Sequence, residues 1–318
     1  MSSLRASLRI SIRADGDDRI GAGHVARCLP LASALSGLGH RPVFVGTYGG
    51  LAAQLLARAG LESLPTDTEA PAGVSPTTCD AVIVDSYEIP ADEICLLACQ
   101  RHVATLAEAQ RCPRSGVLID YHLDRLGQTP TDRLLPGPAY APIDPRFAAA
   151  RRPRETVARA LVTTGGGMVG DHLLESAIDG LRTVFPGAAV LSTSAGGTEH
   201  PGVEVLPRTS RLWEVLEGVD IAVSAAGLTA YELACAGVPA VLVAVAENQR
   251  RVARASATAG TALAVDASGD DLGPRLRGSL SALLDPVRRA ALAARGTELL
   301  DGRGALRAAV GLVTCWKQ

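Results

Sequence analysis

The chain is poor in aromatic residues and carries almost no net charge. Three Phe and two Trp in 318 residues leave little with which to stack bases, and the arginines are scattered rather than gathered into a patch. A nucleic-acid partner is therefore not expected. No run of about 18 apolar residues is present to span a bilayer. The first apolar stretch is short and broken by Arg9 and Arg13, unlike the core of a secretory signal. These absences point to a cytoplasmic chain with no stable membrane insertion. The seven cysteines, at 28, 79, 95, 99, 112, 235 and 315, are odd in number and lack a paired metal-ligand spacing. Cys95 and Cys99 share one helical face, but no second ligand pair accompanies them, so free buried thiols are expected.

What is present is the composition of an ordinary soluble globular protein, 47% hydrophobic and 20% charged with a formal net charge of -2. A length of 318 residues suggests two domains, because single cores rarely grow past about 250 to 300 residues.

The most informative stretch is Ile20-Gly21-Ala22-Gly23-His24-Val25-Ala26-Arg27. It follows an apolar run, Leu8 to Ile12, that reads as a buried strand. It opens a periodic segment (Val25, Cys28, Leu29, Ala32, Leu35, Leu38) that reads as a helix. Such a loop lies at a strand's carboxyl end, where ligands sit in open α/β sheets. Glycines there let the backbone approach a ligand while amides of the first helical turn point at it. The spacing also fits a dinucleotide fingerprint, but that motif expects an acidic residue about 20 residues on. The second strand ends Val45-Gly46-Thr47 without one. His24 is well placed for chemistry, or alternatively caps its helix. Pro30 falls in the second helical turn, where it cannot donate to the Ala26 carbonyl, so a kinked helix is expected.

From Arg41 onward strands and helices alternate: a strand at Pro42 to Val45, a helix near Leu51 to Ala59, a strand at Ala81 to Asp85, a helix near Ala91 to Cys99. Alternation of this kind implies doubly wound parallel sheets. Asp85-Ser86-Tyr87 ends one strand on the same rim as His24, and Tyr87 by itself reads as a capping or core aromatic. Proline, glycine and arginine between Pro136 and Arg154 mark a linker. Beyond it a strand from Val157 to Val162 runs into Gly165-Gly166-Gly167, either a tight turn or a backbone approach to phosphates. A further strand, Ile221 to Val223, precedes Ala226-Gly227-Leu228-Thr229 and a helix. Free amides at Gly227, Leu228 and Thr229, with the positive end of the helix dipole, favour a diphosphate. Glu232 lies a turn further on, as a carboxylate accepting two ribose hydroxyls would. It also reads as a helix acid complementing the dipole. Asn248 and Gln249 follow the next strand, where a plain surface helix start is the alternative.

Two blocks carry a resemblance. Arg13-Ala14-Asp15 through Gly21, Gly23, His24 and Arg27, together with the run from Ser224 to Glu232 and Asn248, resemble the nucleotide-sugar hydrolase of pseudaminic acid biosynthesis and its relatives in spore-coat polysaccharide synthesis. These enzymes are similar to the N-acetylglucosaminyl transferase of peptidoglycan synthesis. The resemblance implies the glycosyltransferase B fold: α/β, two Rossmann-like doubly wound domains facing a cleft. It implies residues 1–150 as the sugar or acceptor side, 151–300 as the nucleotide-binding domain, and a helix from 301 to 318 returning to the first domain. Ala305, Leu306, Ala309, Val310 and Val313 would supply that helix's packing stripe.

By resemblance the catalytic set is His24 as base with Tyr87 and Asn248. Arg13, Asp15, Gly21, Gly23, Gly165, Gly166, Ala226, Gly227, Leu228, Thr229, Glu232 and Gln249 belong to substrate and nucleotide binding. This sequence departs from the pattern at Ala107-Glu108-Ala109 and at Asp120-Tyr121-His122, in loops that face the sugar in this architecture. The implied activity is inverting hydrolysis of a UDP-linked amino or deoxy sugar. A glycosyltransferase using the same donor and a small acceptor is the alternative, and a nucleotide-sugar binding protein without catalysis is the third reading. No metal or cofactor is expected, because a helix terminus can neutralise the leaving diphosphate. The expected partner is the nucleotide-sugar itself.

Overall fold

The computed structural model describes residues 7–17, 19–107, 116–152, 154–164, 171–193, 200–207, 211–268 and 271–317. They fall into two compact units, one of residues 1–142 with 303–318 and one of residues 143–302.

The first unit begins β1 (Arg9–Ala14), α1 (Gly23–Gly37), β2 (Arg41–Val45), α2 (Gly50–Ala59) and β3 (Ser63–Leu64). It continues β4 (Ala81–Asp85), α3 (Ala91–Ala98), β5 (His102–Leu106), β6 (Val117–Asp120) and β7 (Leu134–Pro136). Among the described residues these strands make one seven-stranded sheet in the order β3-β2-β1-β4-β5-β6-β7. The strand pairs are parallel. A sheet covered by helices on both faces calls for strands that are apolar throughout, and β4, Ala-Val-Ile-Val-Asp, is buried at every position.

The second unit runs α4 (Arg146–Ala149), β8 (Arg159–Thr163), α5 (Asp171–Val184), β9 (Ala189–Ser192), β10 (Val203–Val205), α6 (Leu212–Glu217), β11 (Ile221–Ala225), α7 (Leu228–Cys235), β12 (Ala240–Ala244), α8 (Glu247–Ala259), β13 (Leu263–Asp266), α9 (Leu272–Ala282) and α10 (Pro286–Leu299). Its sheet has six described strands in the order β10-β9-β8-β11-β12-β13. The last helix, α11 (Gly304–Cys315), belongs to the first unit, where it packs on α1.

In each sheet the chain winds outward in one direction, returns to the middle, and winds the other way. The reversal falls between β1 and β4 in the first unit and between β8 and β11 in the second. In open α/β sheets the crevice outside the strand carboxyl ends at such a point is where ligands bind. The strand expected at Ala81 to Asp85 is observed with those bounds, and the other expected strands and helices lie within one or two residues of their observed ends at most boundaries.

The α1 helix is one element from Gly23 to Gly37, with Pro30 buried inside it. Other details differ from expectation. Of the thiols, Cys28, Cys79 and Cys235 are free and buried, but Cys99 is exposed and Cys315 half-buried. Cys95 is disulfide-bonded. Expecting free buried thiols throughout was therefore wrong, because cysteine count and spacing carry no distance information. On α11 the buried positions are Gly304, Ala305, Ala308, Ala309, Leu312 and Val313. Leu306 and Val310 are 48% and 47% exposed, so the expected stripe holds at Ala305, Ala309 and Val313 and leaves those two outside.

The proline- and arginine-rich stretch before β8 is pinned. Arg151 donates to the carbonyls of Cys235 and Leu300, and Arg154 to that of Val219. Arg152 pairs with Asp220 at 2.6 Å. Carbonyls at the ends of α7 and α10 and just after α6 thus gain donors that their helices do not supply.

Close packing of α11 makes Gly304 a sensitive position, since a Cβ there would stand 2.1 Å from the Ala141 carbonyl oxygen. Gly304→Ala is expected to cost about 1–3 kcal/mol by overpacking. Gly278→Ala in α9, with nothing within 4 Å of the added carbon, should be neutral or stabilising by up to ~1 kcal/mol. Urea unfolding of both variants checks this, and equal midpoints would contradict it.

Candidate active site

In the first unit the site is built around a carboxylate. Asp85, the last residue of β4, is completely buried. Arg27 of α1 donates to it twice, Nε to Oδ2 at 2.6 Å and Nη2 to Oδ1 at 2.8 Å. His24, one turn earlier on the same helix, places Nδ1 3.0 Å from Oδ1. Burial pushes the Asp85 carboxyl up, but the charges and hydrogen bonds of Arg27 and His24 outweigh it and hold the pKa at about 2. Nδ1 of His24 faces both the Asp85 carboxylate, which can only accept, and Arg27 Nη2 at 2.7 Å, which can only donate, so its role in this cluster is set by the ring tautomer. Cys28 Sγ lies 3.6 Å from Oδ2. Burial and then the Asp85 charge raise its thiol far above the usual range.

The cap reading of His24 does not describe this geometry. Ala22 is the N-cap of α1, and no side chain caps the helix. The first-turn amides are thus left without a side-chain acceptor, as an anion site requires. Gly21 adopts φ +83°, a conformation that only glycine takes readily, and it turns the chain into the helix. A Cβ on Gly23 would meet nothing closer than 3.9 Å, so that glycine leaves open space.

Tyr87 is 47% exposed and sets its ring edge-on against His24, centroids 4.7 Å apart at 72°. Arg13 and Asp15 are engaged with their own surroundings: they pair at 2.6 Å, Arg13 Nε donates to the Ala72 carbonyl, and the Thr47 amide donates to Asp15. Asp17, two residues after Asp15, accepts from the amides of Arg19 and Ile20 and so shapes the loop.

In the second unit the β11–α7 turn stands at the reversal point. Gly227 is the N-cap of α7 with extended backbone, no side chain caps the helix, and its first turn holds no acid. Ala226 is fully buried and donates to the Val243 carbonyl. Leu228 is half-buried and Thr229 buried. Hydroxyls line the neighbouring strand ends: Ser224 is buried, and Thr193 donates to Thr163 at 2.8 Å.

Glu232 is the fifth residue of α7, beyond the first turn, so it is not a dipole-complementing first-turn acid. Burial raises its pKa to about 7, against a hydrogen bond from Thr229 and with help from the Asp144 charge. Asn248 is exposed in the first turn of α8. Gln249 reaches back with Oε1 to accept the Val245 amide at 3.1 Å, one residue before the Ala246 N-cap of α8. Gly165 and Gly166, like Glu108 and Ala109, lie outside the described residues. Among the described residues no group of three His, Cys, Asp or Glu side chains is placed to hold a metal ion.

The structure thus joins His24 and Tyr87 directly, sets Asp85 and Arg27 behind them, and groups Ala226 to Thr229 with Glu232. Sequence reading named Asp85 and Arg27 as parts of motifs without assigning them work. The signal that could have found them is an acid closing an otherwise apolar strand, which is costly unless it meets a partner.

The architecture is that of the glycosyltransferase B fold, a class shared with proteins of known structure. The spinosyn forosaminyltransferase SpnP superposes with a TM-score of 0.71 at 16% identity, over 98% of this chain and all of the other. The spinosyn rhamnosyltransferase SpnG complexed with thymidine diphosphate gives 0.66 at 16% identity, over 98% and 100%. MurG of Acinetobacter baumannii gives 0.63 at 15% identity, over 96% and 99%. These likenesses show the fold and do not single out a pseudaminic-acid hydrolase. No protein-family model matches the chain. No curated protein matches it either.

The Glu232 carboxyl yields a pH-dependent expectation. Its folded pKa of about 7 stands above the ordinary 4.5, so the native state binds the extra proton. Stability is then present in full below about 4.5 and is lost as pH rises toward 7. Glu232→Gln removes this loss. The variant should melt several degrees above wild type at pH 8 and show a much smaller gain at pH 5 by calorimetry. An equal difference at both pH values would refute the assignment.

Proposed function

We propose that the protein transfers a sugar from a nucleoside diphosphate sugar to an alcohol or amine acceptor, with inversion and without a metal. The observation that carries this reading is the His24–Asp85 pair, a buried imidazole 3.0 Å from an ionised carboxylate at the sheet's reversal point. The fold supports it, as do the glycosyltransferases named above, one of them complexed with thymidine diphosphate.

In the proposed step the acceptor oxygen or nitrogen attacks the anomeric carbon and the bond to the diphosphate oxygen breaks. The acceptor's proton passes to His24 Nε2. Asp85 stabilises the imidazolium that forms, as a buried carboxylate does when it orients a base. Arg27 keeps Asp85 ionised. The departing diphosphate is received by the α7 amides at Gly227 to Thr229, where charge develops next to oriented donors that need no reorganisation. Glu232 holds the ribose, Tyr87 positions the nucleophile or the sugar, and Asn248 contributes a polar contact to the sugar.

Hydrolysis is the second reading. It is favoured by the block from Arg13 to Arg27 and by Asp85-Ser86-Tyr87, which resemble the hydrolase more than the transferase. Incubation with UDP- and TDP-linked sugars in isotopically labelled water separates the two. Release of nucleoside diphosphate only when an alcohol or amine is added supports transfer. Label at the anomeric oxygen of freshly released sugar, with no acceptor present, would establish hydrolysis.

For either acceptor, His24→Ala should bind the nucleotide like wild type and lose turnover by roughly 10²- to 10⁴-fold. Asp85→Asn, which inverts the hydrogen-bond demand on Nδ1, should lose turnover on the same scale. Full turnover in either variant would remove the pair from the chemistry.

A further inference from the structure

A cavity of about 250 Å³ opens at the carboxyl-end rim of the first sheet, in a place that the proposed reaction leaves unused. Its walls are Arg13 from β1, the segment 66–73 that follows β3, residues 88–90 after β4, and Glu93 in the first turn of α3. Arg13 is in register with Val84. Successive strand residues alternate faces, so Arg13 lies on the face opposite Asp85. Ala72 and Ile89, which also line the cavity, pack with Val84 in one apolar cluster on that face. The space is therefore distinct from the His24 cluster.

Its wall is held in place from two sides. Arg13 Nε donates to the Ala72 carbonyl at 2.9 Å, and the Ala72 amide donates to Glu93 Oε2 at 2.8 Å. Ala72 itself is buried with φ +54°, a left-handed conformation that a residue with a Cβ keeps only where its surroundings impose it. The Asp67 amide closes the segment by donating to the Gly73 carbonyl at 2.9 Å. The cavity is thus preformed, as small-molecule sites generally are.

The charges around it do not balance. Arg13 brings positive charge, but its Nη1 lies 2.6 Å from Asp15, both side chains are mostly buried, and the pair cancels. Three carboxylates line the space: Asp67, Glu88 and Glu93. Glu88 meets Arg19 at 2.9 Å, yet both of those side chains are largely exposed, and a pair so open to water is worth little. Asp67 and Glu93 accept from the backbone amides of Glu69 and Ala72, neutral donors that leave the charge in place. A cation is therefore attracted to the cavity, by a force that salt weakens. A bare metal ion does not suit the arrangement, because among the described residues no three His, Cys, Asp or Glu side chains converge as ligands. Carboxylates spaced around a wall suit a polyatomic cation, whose several N–H and O–H groups can reach them separately by charge-assisted hydrogen bonds. The volume is below the roughly 300–1,000 Å³ of drug-sized sites, which limits the occupant to about one ring.

We propose that this cavity binds the primary ammonium of a small polyhydroxylated molecule, an amino sugar or amino alcohol of about one ring, through Asp67, Glu88 and Glu93. The site is separate from the nucleotide and from His24, and it does not rest on the transfer reaction proposed above.

The test titrates glucosamine, at a pH where its amine is protonated, into the full chain without nucleotide and follows two-dimensional ¹H–¹⁵N spectra. Saturable shifts are expected at the amides of Thr68 and Gly73, both in the cavity wall. N-acetylglucosamine, whose nitrogen carries no charge, should bind about tenfold more weakly or worse, as for loss of a charge-assisted hydrogen bond. Glu93→Gln and Asp67→Asn keep an oxygen for the Ala72 and Glu69 amides and remove only the charge. Each should weaken glucosamine severalfold at an unchanged melting temperature, and about 0.5 M NaCl should act in the same direction. Equal affinity for the two sugars overturns the proposal, as does undiminished glucosamine binding in both folded variants. Magnesium chloride that produces the same shifts and excludes glucosamine would make this an inorganic cation site and sink it too, and so would shifts confined to residues outside the cavity. Because nucleotide is absent throughout, failure of the transferase reading leaves this result unaffected.

Discussion

A carboxylate buried at the end of a parallel strand is the constraint from which the first unit's functional geometry follows. Desolvating Asp85 costs several kcal/mol, recovered only if its charge is matched and its lone pairs are filled. Arg27 and His24 do both from successive turns of α1. Removing one partner from such a buried pair typically costs about 3–5 kcal/mol, so α1 cannot rotate on the sheet without a large penalty. The fixed helix in turn fixes the Gly21–Ala22 entry to the helix and the ring plane of His24. An interior proline three residues beyond Arg27 is tolerated because packing against β1, β2 and α11 holds the helix where propensity does not.

The two units apply one topological device to different chemistry. Each presents an uncapped helix start at the place where its sheet reverses direction. In the first, the helix start carries an imidazole backed by an ionised acid. In the second, the first turn of α7 offers amides and a hydroxyl, with its one nearby acid displaced to the second turn and drawn toward neutrality by burial. The former fits the proton transfer and the latter the diphosphate reception proposed above, since an anionic side chain in the first turn of α7 would repel an anion at that helix start.

The sequence by itself determined the alternation of strands and helices, the doubly wound parallel sheets, and the two glycine-containing turns that open α1 and α7. Those features are set within a dozen residues: apolar runs make buried strands, 3.6-residue periodicity makes helix faces, and glycine permits the turn of the chain at Gly21. Only the tertiary structure decided that Arg27 meets Asp85, 58 residues away. It likewise decided that α11 packs through Ala305, Ala308, Ala309, Leu312 and Val313 while Leu306 and Val310 face out, and that Cys95 is bonded. Local pattern specifies which hydrogen bonds the backbone makes, but which distant side chains share a buried charge depends on strand register and on the order of strands in the sheet, and no local periodicity encodes either.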